Sequence, residues 1–258
     1  GATTVAADGE GIIIIDPDAA YSTTFTGAIG TSETRLGTLT VGGTDRYGSG
    51  VFTGEVYADT ITIGGTGATA VATTGDFNNN VAFTTLNITA GTDDSDDDDE
   101  HATATVSGNL TGTTIALIDA ADDGTSTLNL DSLTAAQTIS AAITASEDGL
   151  GNVTVSNTGG TVTFSETIGS HSTNLSVGTV SLAASSTTVF NKAVDSAAIT
   201  ATTTASSTFN AAVTNSGAIT TGVGSTTVFD STVSSATLSN SGAMTLKGAV
   251  TLTGVLTT

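Results

Sequence analysis

The feature that most constrains the fold of this chain is a recurring pair in which a Phe is followed, four positions later, by Val or Ile. Positions i and i+4 share one face of a strand and also one face of a helix, so the spacing alone is ambiguous. The Asn, Gly, Ser, Thr and Asp residues around the pairs are poor helix formers and good turn formers, and they favour strands. The seven pairs are Phe25 and Ile29, Phe52 and Val56, Phe77 and Val81, Phe164 and Ile168, Phe190 and Val194, Phe209 and Val213, and Phe229 and Val233; only Phe83 stands outside them.

The pair repeats at a nearly constant distance in the last part of the sequence. Phe190, Phe209 and Phe229 are 19 and 20 residues apart. A second apolar position follows in each repeat: Ile199, Ile219 and Leu238. A repeat this short cannot bury its own apolar face, so it predicts one coil of a solenoid in which neighbouring coils stack. The longer spacings, 27 residues after Phe25 and 25 after Phe52, predict coils that carry loop insertions.

Composition agrees with an all-β fold. The 258 residues include no Cys, no Trp and one Pro, and aromatic residues make up 4%. Thr and Val are abundant, and these β-branched residues suit a pleated surface better than a helix. Apolar residues alternate with Thr at 39–41, 61–63 and 251–253, which predicts apolar side chains inside the coil and Thr outside. Similar alternation continues between the third and fourth pairs, where the Phe signature lapses.

We therefore expect a single β-solenoid domain over residues 1–258, with coils of roughly 20 residues and loop insertions. Within it, the sequence predicts an N-terminal strand and assembly segment over 1–20, irregular acidic coils with loops over 20–160, and regular coils over 161–258.

The charge of the chain is strongly negative and unevenly distributed. The net charge is −21. Residues 1–150 hold 22 of the 25 acidic residues and both Arg, a net charge of −20, whereas 151–258 have a net charge of −1. With four basic residues in all, we expect no binding to nucleic acid or anionic membranes, and cations are the expected small partners. No run of 18 apolar residues occurs, so we expect no membrane insertion.

Residues 161–258 resemble a known class of proteins. The segments TTVFNKAVDSAAIT (187–200) and STFNAAVTNSGAITT (207–221) are similar to the Phe-Asn-x-x-Val and Gly-Ala-hydrophobic-Thr repeats of bacterial β-strand-repeat surface proteins. That class includes autotransporter passengers, filamentous-haemagglutinin-like adhesins, and surface-layer or sheath proteins. The resemblance extends more weakly to residues 20–90. It implies a right-handed parallel β-helix, secretion, and an adhesive or structural role.

The densest acidic segment places seven carboxylates in eight positions. They are Asp93, Asp94, Asp96, Asp97, Asp98, Asp99 and Glu100. Like charges at this density cannot be packed in a core, so the segment is predicted to be an exposed loop. Hard oxygen ligands suit Ca²⁺, and we expect calcium to bind here. The alternative is a solvated insertion that keeps the protein soluble.

Two shorter acidic turns contain Gly, which lets backbone carbonyls converge on an ion. One includes Asp119, Asp122 and Asp123, and the other includes Asp148. Calcium ligation is the functional interpretation of both turns, and an ordinary turn is the simpler one.

Four consecutive Ile residues, Ile12, Ile13, Ile14 and Ile15, predict a strand with two apolar faces. Both faces of such a strand must be covered. The simpler interpretation is a first strand or cap of the solenoid. The functional one is subunit assembly, in which this strand adds to an open edge of another copy.

Catalytic motifs are scarce. The chain has no Cys and no Gly-x-Ser-x-Gly segment, and His101 and His171 stand in polar stretches. β-Helical enzymes that cleave polysaccharides hold sugar with Arg, Lys, Tyr and Trp, which are nearly absent here. We expect no enzymatic activity.

The sequence thus predicts a secreted structural protein that assembles head to tail into an extracellular filament, sheath or surface layer, stabilised by calcium. Neither an initiator Met nor a charged and then apolar leader precedes Gly1, so a removed signal peptide is expected. The alternative is an adhesin passenger that binds a polysaccharide or another surface ligand. A Thr-ladder ice-binding solenoid is disfavoured because the Thr-x-Thr pairs at 38–40, 60–62, 161–163 and 251–253 are irregularly spaced.

Overall fold

The computed structural model describes residues 1–16, 22–43, 48–64, 72–91, 101–119, 124–173 and 175–258. The chain divides into two compact units, Gly1–Asn129 (unit 1) and Leu130–Thr258 (unit 2). The expectation of a single domain over 1–258 stays a prediction.

Unit 1 consists of parallel strands in its described residues. They are β1 (Glu10–Ile15), β2 (Ser22–Phe25), β3 (Leu36–Val41), β4 (Ser49–Phe52), β5 (Val56–Gly64), β6 (Thr73–Phe77), β7 (Val81–Thr89), β8 (Ala102–Val106) and β9 (Leu110–Ile118), and β10 (Ser126–Leu130) begins in this unit. Strands β1, β3, β5, β7 and β9 pair in that order in one ladder, and β2, β4, β6 and β8 pair in a second. Each pair is parallel, so every second strand along the chain stacks on its predecessor one coil earlier.

The loop insertions predicted for unit 1 leave its strand register intact. Phe25, Phe52 and Phe77 align across β2, β4 and β6 although 27 and 25 residues separate them. The extra residues fall between β3 and β4 (42–48) and between β5 and β6 (65–72). The prediction of coils with inserted loops is confirmed.

Unit 2 has the same construction in its described residues. Its strands are β11 (Gln137–Ala145), β12 (Asn152–Val155), β13 (Thr161–Phe164), β14 (Val177–Leu182), β15 (Thr187–Phe190), β16 (Val194–Ala201), β17 (Ser206–Phe209), β18 (Val213–Asn215), β19 (Ala218–Thr221), β20 (Thr226–Phe229), β21 (Val233–Ser235), β22 (Thr237–Asn240), β23 (Ala243–Leu246), β24 (Val250–Leu252) and β25 (Leu256–Thr257). A single turn of 3-10 helix, His171–Thr173, lies between β13 and β14.

The regular coils of unit 2 have three strand positions. The first buries a Phe, as at Phe209 in β17; the second buries a Val, as at Val213 in β18; and the third buries an Ile or Leu, as at Ile219 in β19. In the preceding coil, β16 alone covers the second and third positions, because it pairs with both β18 and β19. We call the residues that this register aligns in successive coils a column.

Stacked Phe rings form the core of both units. Neighbouring ring centroids are 4.8–5.4 Å apart in the unit 1 column of Phe25, Phe52 and Phe77. They are 4.4–4.9 Å apart in the unit 2 column of Phe164, Phe190, Phe209 and Phe229. The ring planes are within 15° of parallel. Six of the seven rings are 1% exposed, and burial of each stabilises the fold by about 1.5–3 kcal/mol.

The alternation of apolar residues with Thr also has the predicted orientation. Leu39 and Val41 are fully buried, and Thr40 between them is half-buried on the outer surface. The same order recurs in the next coil, where Thr62 lies between the buried residues Ile61 and Ile63.

The fold is a parallel β-solenoid, as the sequence predicts. Across the described part of the chain, the turn at His171–Thr173 is the one helical segment. No helix in that part is long and apolar enough to cross a membrane.

Candidate functional site

Most of the predicted calcium ligands lie outside the described residues. They are Asp93, Asp94, Asp96, Asp97, Asp98, Asp99, Glu100, Asp122 and Asp123. The run of seven carboxylates stands in the longest connection of unit 1, the twelve residues 90–101 between β7 and β8. Calcium ligation by these residues stays a prediction.

Asp119 is a buried residue of the turn between β9 and β10, only 4% exposed. Its Oδ1 accepts a hydrogen bond of 2.6 Å from the backbone N–H of Ser126, the first residue of β10. The hydroxyl of Ser126 is buried and has no hydrogen-bond partner among the described residues. The carboxylate of Asp119 therefore helps to close its turn.

Asp148 connects two successive coils of unit 2. Its Oδ1 accepts hydrogen bonds from the backbone N–H of Ser176, at 3.1 Å, and from the Ser176 hydroxyl. Gly149 and Gly151 next to it have positive φ values of 80° and 72°, a conformation that favours Gly. Asp148 thus has a defined position at the surface of unit 2.

The described residues contain few groupings of metal-ligating side chains. Within these ranges, no three carboxylate, imidazole or thiol side chains come together as a group that could hold a metal ion. The Nδ1 atom of His101 is hydrogen-bonded to the Thr125 hydroxyl at 2.6 Å. The side chain of His171 is not among the described parts of the structure. The absence of enzymatic activity stays a prediction.

The four-Ile strand is covered on one face only. In β1, Ile15 is buried and Ile13 is half-buried, whereas Ile12 and Ile14 are 70% and 64% exposed. These are large exposed fractions for Ile in a chain poor in large aliphatic residues. The strand of the sequence prediction is present, and its outer face is open.

The exposed Ile residues lie at the end of two columns of polar residues. Ile12 aligns with Thr38 and then Thr60, and Ile14 aligns with Thr40 and then Thr62. These Thr pairs stack although their spacing in the sequence is irregular, because the inserted residues fall outside the strands. The prediction that irregular spacing prevents stacked Thr pairs is therefore wrong for these two coils. The next two coils place Thr85 with Asn87 and Thr114 with Ala116 in these columns, so the paired Thr pattern stops after two coils.

A second open apolar surface lies on β23, β24 and β25. Leu246, Val250 and Leu256 are 40%, 38% and 55% exposed. They stand in register with core residues that are each 1% exposed: Phe229, Val233 and Leu238. All three core columns of unit 2 therefore end in open apolar side chains. Sequence reasoning missed this surface because repeat spacing shows which residues point inward, not which coil lacks a covering neighbour.

Unit 2 also contains a polar groove of about 340 Å³. One column contributes Asp195, Thr214 and Ser234, from three successive coils. Asp148 and Ser176, from the two coils before them, line the groove as well, and Thr253 lines it in the coil after them. The groove therefore crosses six successive coils.

A hydrogen-bonded set of side chains lies under this groove. Asn215 donates from Nδ2 to the hydroxyl of Ser196 at 3.2 Å, and its Oδ1 accepts from the hydroxyl of Ser235 at 3.3 Å. All three residues are at most 3% exposed. A buried polar set with its partners in place is rigid, so the groove has a fixed polar floor.

The groove has one sign of charge. Asp148 and Asp195 are its charged residues, and the other lining side chains are hydroxyls, an amide and Ala236. Carboxylates accept hydrogen bonds, and hydroxyls and amides both donate and accept. The groove can therefore form hydrogen bonds with a neutral or cationic ligand and repels anions. Sequence reasoning missed it because short polar residues are common throughout the chain and their alignment depends on register.

A smaller polar contact lies on the surface of unit 1. The Tyr57 hydroxyl donates to Oε2 of Glu55 at 3.0 Å, and Asn80 donates to Oε1 of the same carboxylate at 3.1 Å. The hydrogen bond to Glu55, followed by desolvation and the nearby negative charge, raises the pKa of Tyr57 above its ordinary value of 10.0.

Comparison with known proteins found no matching family model, no matching curated protein and no matching solved structure. The resemblance to bacterial β-strand-repeat surface proteins stays a prediction.

Proposed function

We propose that this protein is a secreted structural subunit that assembles head to tail into an extracellular filament, sheath or surface layer. The observation that carries the proposal is the exposure of Ile12 and Ile14, 70% and 64%, in columns that otherwise present Thr, Asn and Ala. An apolar patch on an otherwise polar surface is typical of an interaction site.

Unpaired strand edges support the same proposal. Within the described residues, β1 pairs with β3 alone, and β23, β24 and β25 each pair on one side alone. An open edge offers a row of backbone donors and acceptors to another strand. A second copy suits these edges, because every named strand pair in each unit is parallel and a further coil would continue that arrangement.

Both surfaces are apolar, but they are formed by different residues. Ile12 and Ile14 belong to unit 1, and Leu246, Val250 and Leu256 belong to unit 2. A contact between two different surfaces is heterologous. It produces an open filament when the rotation that relates neighbouring copies does not close a ring. Location outside the cell rests on the resemblance given above.

Assembly is tested by blocking each surface separately. The double variant Ile12→Thr with Ile14→Thr places in β1 the residues that the next coil already has at Thr38 and Thr40, so the fold is expected to survive. The variant Leu256→Lys adds a charge to the other surface. Negative-stain microscopy should show filaments for the unaltered chain and none for either variant.

Mixing the two blocked chains gives a sharper result. Each variant chain retains one unaltered apolar surface, so an equimolar mixture should form dimers that grow no further. Light scattering after gel filtration measures their mass. The matched control is Leu133→Thr, at an apolar residue between β10 and β11 that is 76% exposed and belongs to neither surface, and it should assemble normally. Monodisperse unaltered protein would refute assembly, and unchanged filaments from the Ile variant would refute the role of β1.

We include calcium in the proposal as a stabilising ion bound by the acidic segments. The support is the density of carboxylates between Asp93 and Glu100 and the preference of Ca²⁺ for oxygen ligands. Calcium should raise the melting temperature more than magnesium does at equal ionic strength. Replacing the seven carboxylates by amides should abolish that difference, and an unchanged difference would refute calcium binding at this segment.

The polar groove favours a second candidate function, an adhesin passenger that binds a surface ligand. Its ten lining residues come from six successive coils of unit 2, which suits an extended ligand. Binding of such a ligand by protein that stays monodisperse would favour this candidate over the filament.

A further inference from the structure

We propose that the polar groove of unit 2 is a binding site for a neutral, linear oligosaccharide lying along the stack of coils. This inference does not depend on filament assembly, because every residue that lines the groove belongs to a single unit of one chain.

The shape of the groove suits a linear ligand. Stacked strands are about 4.8 Å apart, so a groove that crosses six coils is about 24 Å long. Its volume of about 340 Å³ is at the small end of the range of ligand pockets. Long and narrow dimensions favour a chain over a compact molecule.

The lining repeats in step with the coils. Asp195, Thr214 and Ser234 occupy one column, so an oxygen-bearing side chain recurs in each of three coils. Thr214 and Ser234 are half-buried and face outward. A ligand whose hydroxyl groups also recur can form the same kind of hydrogen bond at each coil, which a ligand with a single polar end cannot do.

The chemistry of the lining disfavours two other classes of ligand. Asp148 and Asp195 repel polyanions, and none of the described residues that line the groove is Lys or Arg. A peptide bound as an added strand would require free backbone groups, but those beside the groove bond to neighbouring coils: Val194 to Ala212, and Val213 to Thr232, at 3.0 and 2.9 Å. Sugar hydroxyls, which donate and accept, match the carboxylate, hydroxyl and amide groups present.

The groove is held in shape before any ligand binds. Asn215 is fixed by Ser196 and Ser235 beneath the surface, and Asp148 is fixed by Ser176. A site whose polar groups already have their positions loses less conformational freedom on binding.

The experiment measures binding of cellohexaose, chitohexaose and mannohexaose by calorimetry and by chemical-shift perturbation. It uses the full chain carrying Ile12→Thr and Ile14→Thr, so that filament formation cannot hide the groove. If that chain still polymerises, sedimentation of labelled oligosaccharide with the filaments replaces the chemical-shift measurement. Hexa-galacturonate is the anionic probe. At least one neutral hexasaccharide should bind and shift the signals of Thr214 and Ser234.

Two further variants decide whether the groove is the site. Ser234→Arg places a long charged side chain across the groove and should weaken binding at least ~10-fold. Ser239→Arg makes the same change at an outward, half-buried residue of β22 that does not line the groove, and it should leave affinity unchanged. The proposal is overturned if no neutral hexasaccharide binds, if hexa-galacturonate alone binds, or if both Arg variants behave alike.

Discussion

The ring of Phe83 occupies the space that a Cβ atom on Gly112 would need: such an atom would lie 2.2 Å from Cε2 of Phe83. On the other side, Phe83 is in register with Ala58 of the preceding coil. The one Phe outside the repeated pairs is thus buried, at 1% exposure, against small residues instead of other rings. A single large side chain fits in this column because its two neighbours are small.

Gly112→Ala should destabilise unit 1 by about 1–3 kcal/mol, because the added methyl group overpacks the core against the Phe83 ring. Gly112 does not have a positive φ, so its backbone tolerates Ala. Loss of the flexible Gly from the unfolded chain would by itself stabilise the folded protein by about 0.4–1 kcal/mol. The steric clash outweighs this gain, so the net change in stability is a loss. Urea unfolding followed by circular dichroism measures the change.

The smaller side chain in Phe83→Leu should relieve this clash. The double variant should then be less destabilised than the sum of the two single variants, with a coupling energy of about 1 kcal/mol or more. Strict additivity would contradict the assigned contact between the ring and Gly112.

Phe209→Ala should cost about 3–5 kcal/mol, because it leaves a cavity in the core and removes the ring between two others. The centroid distances from Phe209 to Phe190 and Phe229 are 4.4 and 4.9 Å. Val223→Ala, at a residue that is 68% exposed, is the control and should change stability by less than about 0.5 kcal/mol. Equal effects in chemical denaturation would contradict the buried stack.

The ion pair between Lys247 and Asp230, with an Nζ to Oδ1 distance of 2.7 Å, joins the coil of β23 to the coil of β20. The two side chains are 58% and 33% exposed, so water and salt weaken their attraction. Lys247→Met should therefore lower stability by no more than about 1 kcal/mol, and the difference should shrink in 1 M salt. A larger loss that salt does not alter would contradict the interpretation of this contact as a solvent-screened ion pair.

Tyr57 should ionise above its ordinary pKa of 10.0 because the hydrogen bond to Glu55 favours the neutral hydroxyl. A raised pKa in the folded state adds stability that is fully present below the unfolded pKa and is lost as pH rises through the folded pKa. Absorbance at 295 nm reports the ionisation in a chain with Tyr21→Phe and Tyr47→Phe. Glu55→Gln should lower the pKa of Tyr57, whereas Glu166→Gln, in unit 2, should leave it unchanged.

The sequence predicted the coils because the Phe pairs recur from coil to coil, although their Phe residues lie in the ladder of β2, β4 and β6 in unit 1 and in the ladder of β13, β15, β17 and β20 in unit 2. It was less informative between Phe77 and Phe164, where aliphatic residues occupy both of the columns that contain Phe elsewhere. Val106 stands in register with Phe77, and Ile139 with Phe164. A Val or Ile at an inward position resembles any other strand residue, so the repeat continued without a visible marker.

The candidate sites were predictable to a smaller degree. The outward direction of two Ile residues in β1 follows from the four consecutive Ile residues, since alternation must turn two of them outward. That their face is open in the single chain does not follow, because both faces were expected to be covered. The groove could not be foreseen, because Asp195, Thr214 and Ser234 are 19 and 20 residues apart and meet only through the pairing of β16, β18 and β21. Ser and Thr are too common in this chain for any one of them to stand out.

The separation of strand register from connection length has a consequence for how such a chain can change over generations. Seven residues separate β3 from β4 and twelve separate β7 from β8, whereas four separate β16 from β17, and the strands on either side stay aligned with their neighbours. Because closing a longer loop costs little additional entropy, a gene for this fold can gain or lose whole charged segments between coils. Its surface chemistry can therefore diversify while the stacked core is inherited unaltered.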